Sequence, residues 1–433
     1  MRSHYDIVIV GGGMVGASLA AALIQASQTL NLKIAIIEAH ALPESAVEGY
    51  QPSYDARSTA LAYGSRVIYE RMGIWETLQT HLAAISDIHV SDQGRFGATR
   101  LHAADENVPA LGYVVENRWL GQVLLARLQQ EDAGNIDFIC PATVTEIQPC
   151  AEQMQLQLEH NGEISQLTAE LVVMADGGRS PLRQQMGIGY QQQDYQQHAI
   201  VTNLTPGQPH SGVAYERFTE NGPMALLPLE DQGGDPRIAL VWTVPSEQLD
   251  ETLALSDADF MARLQDTFGY RLGYFQHVGE RHHYPLKLTF AEEQVRSGLV
   301  LLGNAAHALH PIAGQGYNLA LRGAVRLAEY IIQTRQRGET LGKLADLQQF
   351  QEQVRGDQQK TVGFSDQTMK LFSNNQPLLA LGRSAGLQIM DTCPLLKTVF
   401  ARSAMGLDIA APDLQARPAA EPSVAENSVA DKA

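Results

Sequence analysis

Two stretches of the chain carry residue types and spacings that could do chemistry. The first is GNAAHALHPIAGQGYNLALRG (303–323), which sets His307 and His310 three apart ahead of Pro311 and a glycine-rich turn. On first reading a metal, a nucleophile and a cofactor all remain open for it. The second is VIVGGGMVGASLAAALI, with Gly11-x-Gly13-x-x-Gly16 directly after the β-branched run Ile7 to Val10, and Met14 and Val15 between the last two glycines. Here the chemistry is narrower. One glycine permits the tight turn, one lets a pyrophosphate reach backbone N–H groups, and one lets a helix pack closely on the strand. The helix N-terminus then stabilises the phosphate charge. The next apolar strand, KIAII, ends in Glu38, where a carboxylate would accept hydrogen bonds from an adenosine ribose and repel a 2′-phosphate. NAD and FAD both satisfy these features.

Those residues need elements to hold them. The apolar runs VIV, LVVMA (171–175) and LVLL (299–302) each end in small or polar residues: Gly11, Asp176-Gly177 and Gly303-Asn304. Strand ends of this kind are where α/β sheets bind ligands. After Asp176 and Gly177 come Arg179, Ser180, Pro181 and Arg183, which also read as an ordinary capped helix start. A helical segment is expected at about 59–80 and another over Leu120 to Gln130, with short strands over 136–150 and 153–159. Residues 195–290 alternate in short runs broken by Gly and Pro, the pattern of an antiparallel sheet. Helices are expected over 320–353 and 357–410. The tail from 411 is rich in Ala, Pro, Ser and Glu, which predicts disorder.

Composition removes several function classes. The chain has 433 residues, 44% of them apolar, and a net charge of −17. That charge argues against a nucleic-acid partner, which needs a basic stripe, and against electrostatic attachment to anionic lipid. Cys140, Cys150 and Cys393 suit neither a disulfide framework nor a zinc knuckle, which points to a reducing compartment. The uncharged run from Ile7 to Ile24 has membrane-helix length, but its four glycines make it a strand, a turn and a buried helix.

With GGGMVG and Glu38, ADGGRSPLR and GNAAHALHPIAGQGYN in view, the chain resembles the class A flavoprotein monooxygenases, the aromatic hydroxylases related to p-hydroxybenzoate hydroxylase, from about residue 4 to 405. Within them it is most similar to the ubiquinone-biosynthesis hydroxylases. DARSTAL (55–61), ERFTENGPMALLPL (216–229) and HPIAGQGYNLALRG (310–323) favour the branch that hydroxylates 2-polyprenyl-6-methoxyphenol.

The resemblance implies an α/β fold. A Rossmann-like FAD-binding domain spans 1–75, 105–180 and 290–335. An inserted antiparallel-sheet substrate domain takes 76–104 and 181–289. C-terminal helices follow over 336–410, with a disordered tail at 411–433.

It also implies site roles. Gly11, Gly13, Met14, Val15 and Gly16 would hold the pyrophosphate and Glu38 the ribose. Arg57 would lie near the flavin, and Arg118 and Gln122 beside the adenine and phosphate portion. Asp176 and Gly177 belong to the motif associated with FAD and NAD(P)H, and Gly303 and Asn304 would meet the ribityl and pyrophosphate. Pro311, Gly314, Gln315, Gly316, Tyr317 and Asn318 would wrap the ring, with the Pro311 carbonyl, Gly314 and Gln315 nearest the chemistry. Two positions depart from the family pattern. Asn304 stands where Asp is usual, keeping the shape and the acceptor without the charge, a change the methoxyphenol branch shares. Gly323 stands where a carboxylate usually closes the NLGxxD pattern.

The reaction implied is FAD-dependent ring hydroxylation of a polyprenyl phenol. NADH or NADPH is the reductant at a shallow transient site, and O2 is the oxygen source. His307 and His310 have no third ligand at metal spacing, so no metal is expected and His307 is read as structural. GPMALLP (222–228) would line an apolar substrate wall or be an ordinary buried strand. A prenylated substrate implies a cytoplasmic enzyme that touches the inner membrane peripherally or works with other ubiquinone-biosynthesis proteins. Leu378 to Phe400 is a docking face or a pair of buried helices. The alternatives are a sister hydroxylase acting on polyprenylphenol or demethoxyubiquinol, a class A hydroxylase of another aromatic, a flavin halogenase or dehydrogenase, and a non-enzymatic prenyl-lipid binder.

Overall fold

The structure, a computed structural model, describes residues 2–41, 57–130, 133–178, 180–309, 314–372 and 377–417. The chain begins with β1 (His4–Val10), α1 (Met14–Ala22), α2 (Ile24–Thr29), β2 (Ile34–Ile37), β3 (Ser58–Ala62), α3 (Tyr63–Arg71), α4 (Trp75–Leu78), β4 (Ala83–Ile85), β5 (Asp87–Asp92), β6 (Ala98–His102), β7 (Gly112–Glu116) and α5 (Asn117–Gln129). Next come β8 (Ile136–Ile139), β9 (Ala142–Cys150), β10 (Gln153–His160), β11 (Glu163–Met174), α6 (Pro181–Gln185), β12 (Tyr190–Thr205), β13 (Val213–Thr219), β14 (Gly222–Gln232), β15 (Asp235–Pro245), α7 (Leu249–Ala254) and α8 (Asp257–Phe268). The remainder is β16 (His277–Val278), β17 (His282–Ala291), β18 (Val295–Arg296), β19 (Leu299–Leu301), β20 (His307–Ala308), α9 (Gln315–Gln336), α10 (Leu344–Phe372), α11 (Pro377–Thr392) and α12 (Pro394–Ala404).

Three sheets follow from these strands. The first runs β18-β19-β11-β1-β2-β8, with β10 and β9 continuing antiparallel from β11. Its strands β8, β2, β1, β11 and β19 are parallel. Side-chain alternation divides its core in two. Ile7, Ile9, Ile34, Ile36, Leu171 and Val173 face α1, α5 and α9. Val8, Val10, Ala35, Ile37, Val172 and Met174 face the β9–β10 side. Strands buried on both faces are why these runs read as continuous apolar sequence. The small residues Gly16, Ala17, Ala20 and Ala21 let α1 lie close to the sheet and to α9.

The second sheet is β20-β17-β12-β15-β14-β13-β5-β6, antiparallel except where β13 meets β5. One face packs on α7 and α8 through Ile200, Met224, Leu226, Leu240, Trp242, Phe260, Leu264 and Phe268. The other faces the small third sheet, β3-β7-β4, and the C-terminal helices. A buried ion pair joins the sheets: Arg237 of β15 lies 2.5 Å from Glu116 of β7.

The structure differs from the expected elements in several places, among them the helix expected over 320–353, which breaks between the end of α9 at Gln336 and the start of α10 at Leu344. Residues 58–62 form a strand rather than the start of a helix, because β3 pairs along its length with β7. The 195–290 region holds α7 and α8 as well as strands; Ser256 caps α8 by accepting from the Asp259 N–H at 3.2 Å. The tail is not free from residue 411. Arg71 donates to the Pro412 carbonyl at 2.8 Å, the Asp413 N–H donates to Glu329 at 3.0 Å, and Ala416 is buried in the core. Residues 418–433 lie outside the described residues.

Candidate active site

The parallel strands β1, β11 and β19 end side by side, and their hydrogen-bond ladder continues into the turns. The Gly11 N–H donates to Ile37 O, the Ala175 N–H to Val10 O and the Leu302 N–H to Met174 O, at 2.8, 2.8 and 2.9 Å. The three motifs far apart in sequence therefore share one edge, at the point where strand order reverses about β1.

Each glycine of the first motif has its own steric reason. Gly11 has φ +103°, and a Cβ there would lie 2.6 Å from the Ala175 carbonyl oxygen. A Cβ on Gly16 would run into the Gly11 carbonyl. Gly13 differs: it caps α1, is exposed, and a Cβ there would meet nothing within 4 Å. The first two glycines thus serve the protein's own packing, while the third opens onto free space. Met14 and Val15 begin α1, and Val15 packs under Gly303.

The helix starts are themselves informative. Neither α1 nor α9 has a side-chain cap or an acidic residue in its first turn. Their leading N–H groups are free to meet an anion. Glu38 is fixed at the end of β2, where it accepts from the Gly12 N–H at 2.8 Å and from the His40 N–H at 2.9 Å. Oε1 is also met by His40 Nδ1 at 3.0 Å, whereas Oε2 keeps a lone pair for a further donor.

Gln122 and Asp176 each carry an orphaned polar atom. Gln122 is buried on α5 and its Oε1 has no partner; Asp176 Oδ1 is also buried without one. Burial pushes the Asp176 carboxyl above the usual carboxylate range, against the opposing pull of Ser180 and Arg183. Arg118, one turn before Gln122, is exposed. Ser180 caps α6, accepting from the Arg183 N–H at 3.1 Å, so the capped-helix reading of that segment holds. The Arg183 guanidinium stacks on the Tyr190 ring inside the protein. Gly177 has φ +88° and open space around it, and Arg179 lies outside the described residues.

The loop after β19 is held by contacts the sequence did not advertise. Gly303 has φ +59°, and Asn304 beyond it is exposed. Pro311 and its neighbours 310, 312 and 313 lie outside the described residues. Gly314 caps α9 at φ +61°, where a Cβ would lie 2.8 Å from the Ala60 Cβ. Asn318 is almost wholly buried and uses its full bonding capacity. Its oxygen accepts from the Ala62 N–H at 2.8 Å and the Ser65 hydroxyl at 2.7 Å. Its amide donates to the Ala60 and Gly314 carbonyls, each at 2.8 Å. The Asn318 side chain is therefore a clamp between β3, α3 and the loop, with nothing left for a ligand.

Tyr317 likewise turns inward, where its hydroxyl joins those of Tyr69 and Ser18. Gln315 donates to the Ala404 carbonyl of α12 at 3.2 Å. Gly316 faces open space. Arg57 donates to the Tyr284 hydroxyl of β17 at 3.0 Å, spanning from the β3 side to the large sheet. His307 is buried with an unpartnered Nε2, and burial pulls its pKa down to about 4. It is a neutral ring at physiological pH. No cluster of three metal-binding side chains occurs among the described residues.

The residues present fit a bound dinucleotide flavin. The uncapped start of α1, the open face at Gly13, a restrained Glu38 and the unpartnered oxygen of Asp176 stand along one sheet edge. Comparison with known proteins agrees. The model of a family described as an FAD binding domain matches residues 4–346. The chain belongs to this family of FAD-dependent monooxygenases. It is 35% identical to ubiquinone hydroxylase UbiL of Rhodospirillum rubrum over 93% of this chain and 89% of that protein. It is 30% identical to the 3-demethoxyubiquinol 3-hydroxylase of Escherichia coli over 93% of this chain and 98% of the relative. The crystal structure of p-nitrophenol 4-monooxygenase PnpA from Pseudomonas putida superposes with a TM-score of 0.73 at 18% identity, covering 94% of this chain and 99% of that one, which establishes the shared fold. The enzyme uses FAD, with NAD(P)H and O2 as co-substrates.

Proposed function

We propose that this monooxygenase hydroxylates the ring of a polyprenylated methoxyphenol in ubiquinone biosynthesis. The observation that carries this reading is the similarity over nearly the whole chain to a protein named as a ubiquinone hydroxylase. A second reading, hydroxylation of demethoxyubiquinol, is favoured by the likeness to the Escherichia coli enzyme named for that step. When bound, FAD would take electrons from NAD(P)H and activate O2 for transfer of one oxygen atom to the phenol ring. Gly11, Gly13, Gly16, Glu38, Gln122, Asp176, Gly303 and Asn304 would hold it, with the Pro311–Gly316 loop against the ring. The chain's own work is to position and to exclude water, since an exposed site would waste reduced flavin as peroxide. The uncapped start of α9 offers N–H groups that stabilise negative charge on a reduced ring.

A prenylated substrate must be taken from a membrane. Among the described residues no helix is long and apolar enough to cross one. Leu381, Ile389, Leu395, Leu396 and Val399, on the contacting helices α11 and α12, are largely exposed, and exposed apolar side chains gathered on one part of a surface mark a membrane or protein contact. We assign peripheral docking to that surface. The test of the function is the quinone-lipid profile, by mass spectrometry, of cells lacking this protein. Accumulated polyprenyl-methoxyphenol, cleared by the wild type and not by Gly13→Trp, supports the proposal. Accumulated demethoxyubiquinol moves the enzyme to the second reading, and an unchanged profile contradicts both.

A further inference from the structure

The sheet face turned toward the C-terminal helices and the β3-β7-β4 sheet carries, among the described residues, an ionisable side chain without a partner, Glu216. Glu216 lies in the middle of β13, paired in register with Val90 of β5 and Ala225 of β14. The same row continues through Val241 of β15 and Val201 of β12. The row ends in Thr99 of β6 and His282 of β17, and Glu216 is the one polar residue among its five inner positions. Strand alternation gives its facing direction. Ala214, two residues before it, packs with Ile85 and Val114 of the small sheet, and Phe218, two residues after it, packs on Leu387 of α11. Tyr215 points the opposite way, onto Phe268. Arg57 reaches Tyr284 across the same gap, so the gap is the space between the flavin-binding part and the large sheet.

The carboxyl makes no hydrogen bond or ion pair with any described residue, yet Glu216 keeps some solvent-accessible surface. The group is thus enclosed by protein but not sealed from solvent. A buried carboxylate without a partner is costly, and a fold that merely needed volume here would do better with an apolar residue. The charged groups on the neighbouring elements are already paired. Asp92 of β5 is held by Arg383 of α11 at 3.4 Å, Asp366 of α10 by Lys370 at 2.6 Å, and Glu116 of β7 by Arg237 of β15 at 2.5 Å. Burial alone therefore acts on Glu216 and pushes its carboxyl up to about 8.

We propose that Glu216 receives the phenolic hydroxyl of the substrate and takes its proton as the ring is hydroxylated. This rests on the reaction proposed above. In this step the phenol O–H bond breaks, a Glu216 O–H bond forms, and the electron pair stays on the phenolic oxygen, from which it enriches the ring. No electron changes owner in it; the oxygen atom comes from O2 by the family's own reaction. When the ring regains aromaticity, the hydrogen at the hydroxylated carbon leaves to solvent and the Glu216 proton returns to the phenolic oxygen. An ordinary glutamate is about six pKa units below a phenol, too weak a base, whereas one lifted by burial is about two below.

The experiment uses the FAD-loaded enzyme with NADH, O2 and 2-methoxy-6-(dimethylallyl)phenol, alongside the methyl ether of that phenol as a binding probe. Wild-type kcat should rise with pH through about 8. Glu216→Gln should lower kcat on the order of 10²-fold, remove that rise, and bind phenol and ether equally, with flavin content unchanged. Glu216→Asp should keep the pH dependence at a reduced rate. Hydroxylation by Glu216→Gln within about three-fold of wild type, with the same pH profile, overturns the proposal and leaves the function intact. Loss of flavin in Glu216→Gln, restored in Glu216→Asp without any pH dependence, makes the residue structural and overturns it too. A flavin-loaded wild type that hydroxylates no prenylated phenol overturns the reaction and this inference together.

Discussion

At Asn318 one side chain fixes four backbone or hydroxyl groups of β3, α3 and the loop. Truncating it leaves those groups buried without partners. Asn318→Ala should therefore lower stability by about 3 kcal/mol, read by urea denaturation; a loss below about 1 kcal/mol would remove the clamp from the account. The glycines of the first motif should part company. Gly16→Val overlaps backbone and should fail to fold, whereas Gly13→Val meets open space and should give a folded, colourless protein. Absorbance at flavin wavelengths and a thermal melt distinguish the two. His307 gives a pH signature. Its folded pKa, about 4, lies below the unfolded 6.5, so the folded state binds the proton less readily. Its stability contribution is complete above pH 6.5 and is lost as pH falls toward 4, by about 3 kcal/mol at most. His307→Gln should flatten that interval, and equal slopes in variant and wild type would sink the assignment. The glycines were legible in the sequence because backbone conformation demands them. The Asn318 clamp was not, because its partners Ala60, Ala62 and Ser65 lie more than 250 residues away, and spacing carries no trace of such a contact.

Among the elements, α9 does the most positioning. Its start is fixed by Gly314 against β3, its first turn is tied to α12 by Gln315, and its apolar stripe of Leu321, Ala324, Val325, Leu327, Ala328 and Ile331 joins the main core. Gly314→Ala would place a Cβ 2.8 Å from Ala60 at a φ of +61°. The left-handed conformation alone costs about 1–2 kcal/mol in an L-residue, so the variant should release FAD several-fold faster at a melting temperature near wild type. A dissociation rate equal to wild type would contradict this view of the turn. The strands and helices buried on both faces were plain in the sequence from their apolar runs. What escaped was set by tertiary context. β3 reads as helix until β7 pairs with it, and α7 and α8 were hidden in a region whose alternating runs suggested strands throughout. GPMALLP (222–228) is a buried strand with two faces: Met224 and Leu226 enter the core under α8, while Leu227 packs toward Ile85 and Val114 of the small sheet.

On the scale of the whole molecule, the C-terminal helices connect the two larger parts and carry the exposed apolar surface. α10 is joined to α9 by the Arg322–Asp357 pair at 2.7 Å, α11 to β6 by Thr99 donating to the Leu387 carbonyl at 2.6 Å, and α12 to the start of α9 by Gln315. Leu395, Leu396 and Val399 are 74%, 49% and 62% exposed. Replacing all three by serine should cut the fraction bound to phosphatidylethanolamine–phosphatidylglycerol vesicles in a flotation assay on the order of ten-fold or more, with hydroxylation of a short-chain, water-soluble substrate unchanged. Equal flotation would show that docking lies elsewhere. The most direct test is single-turnover hydroxylation by the purified, FAD-loaded protein with NADH, ¹⁸O₂ and 2-methoxy-6-(dimethylallyl)phenol, followed by mass spectrometry. A ring-hydroxylated product carrying one ¹⁸O atom is expected. Oxidation of NADH to peroxide alone, or a product whose new oxygen comes from water, would contradict it.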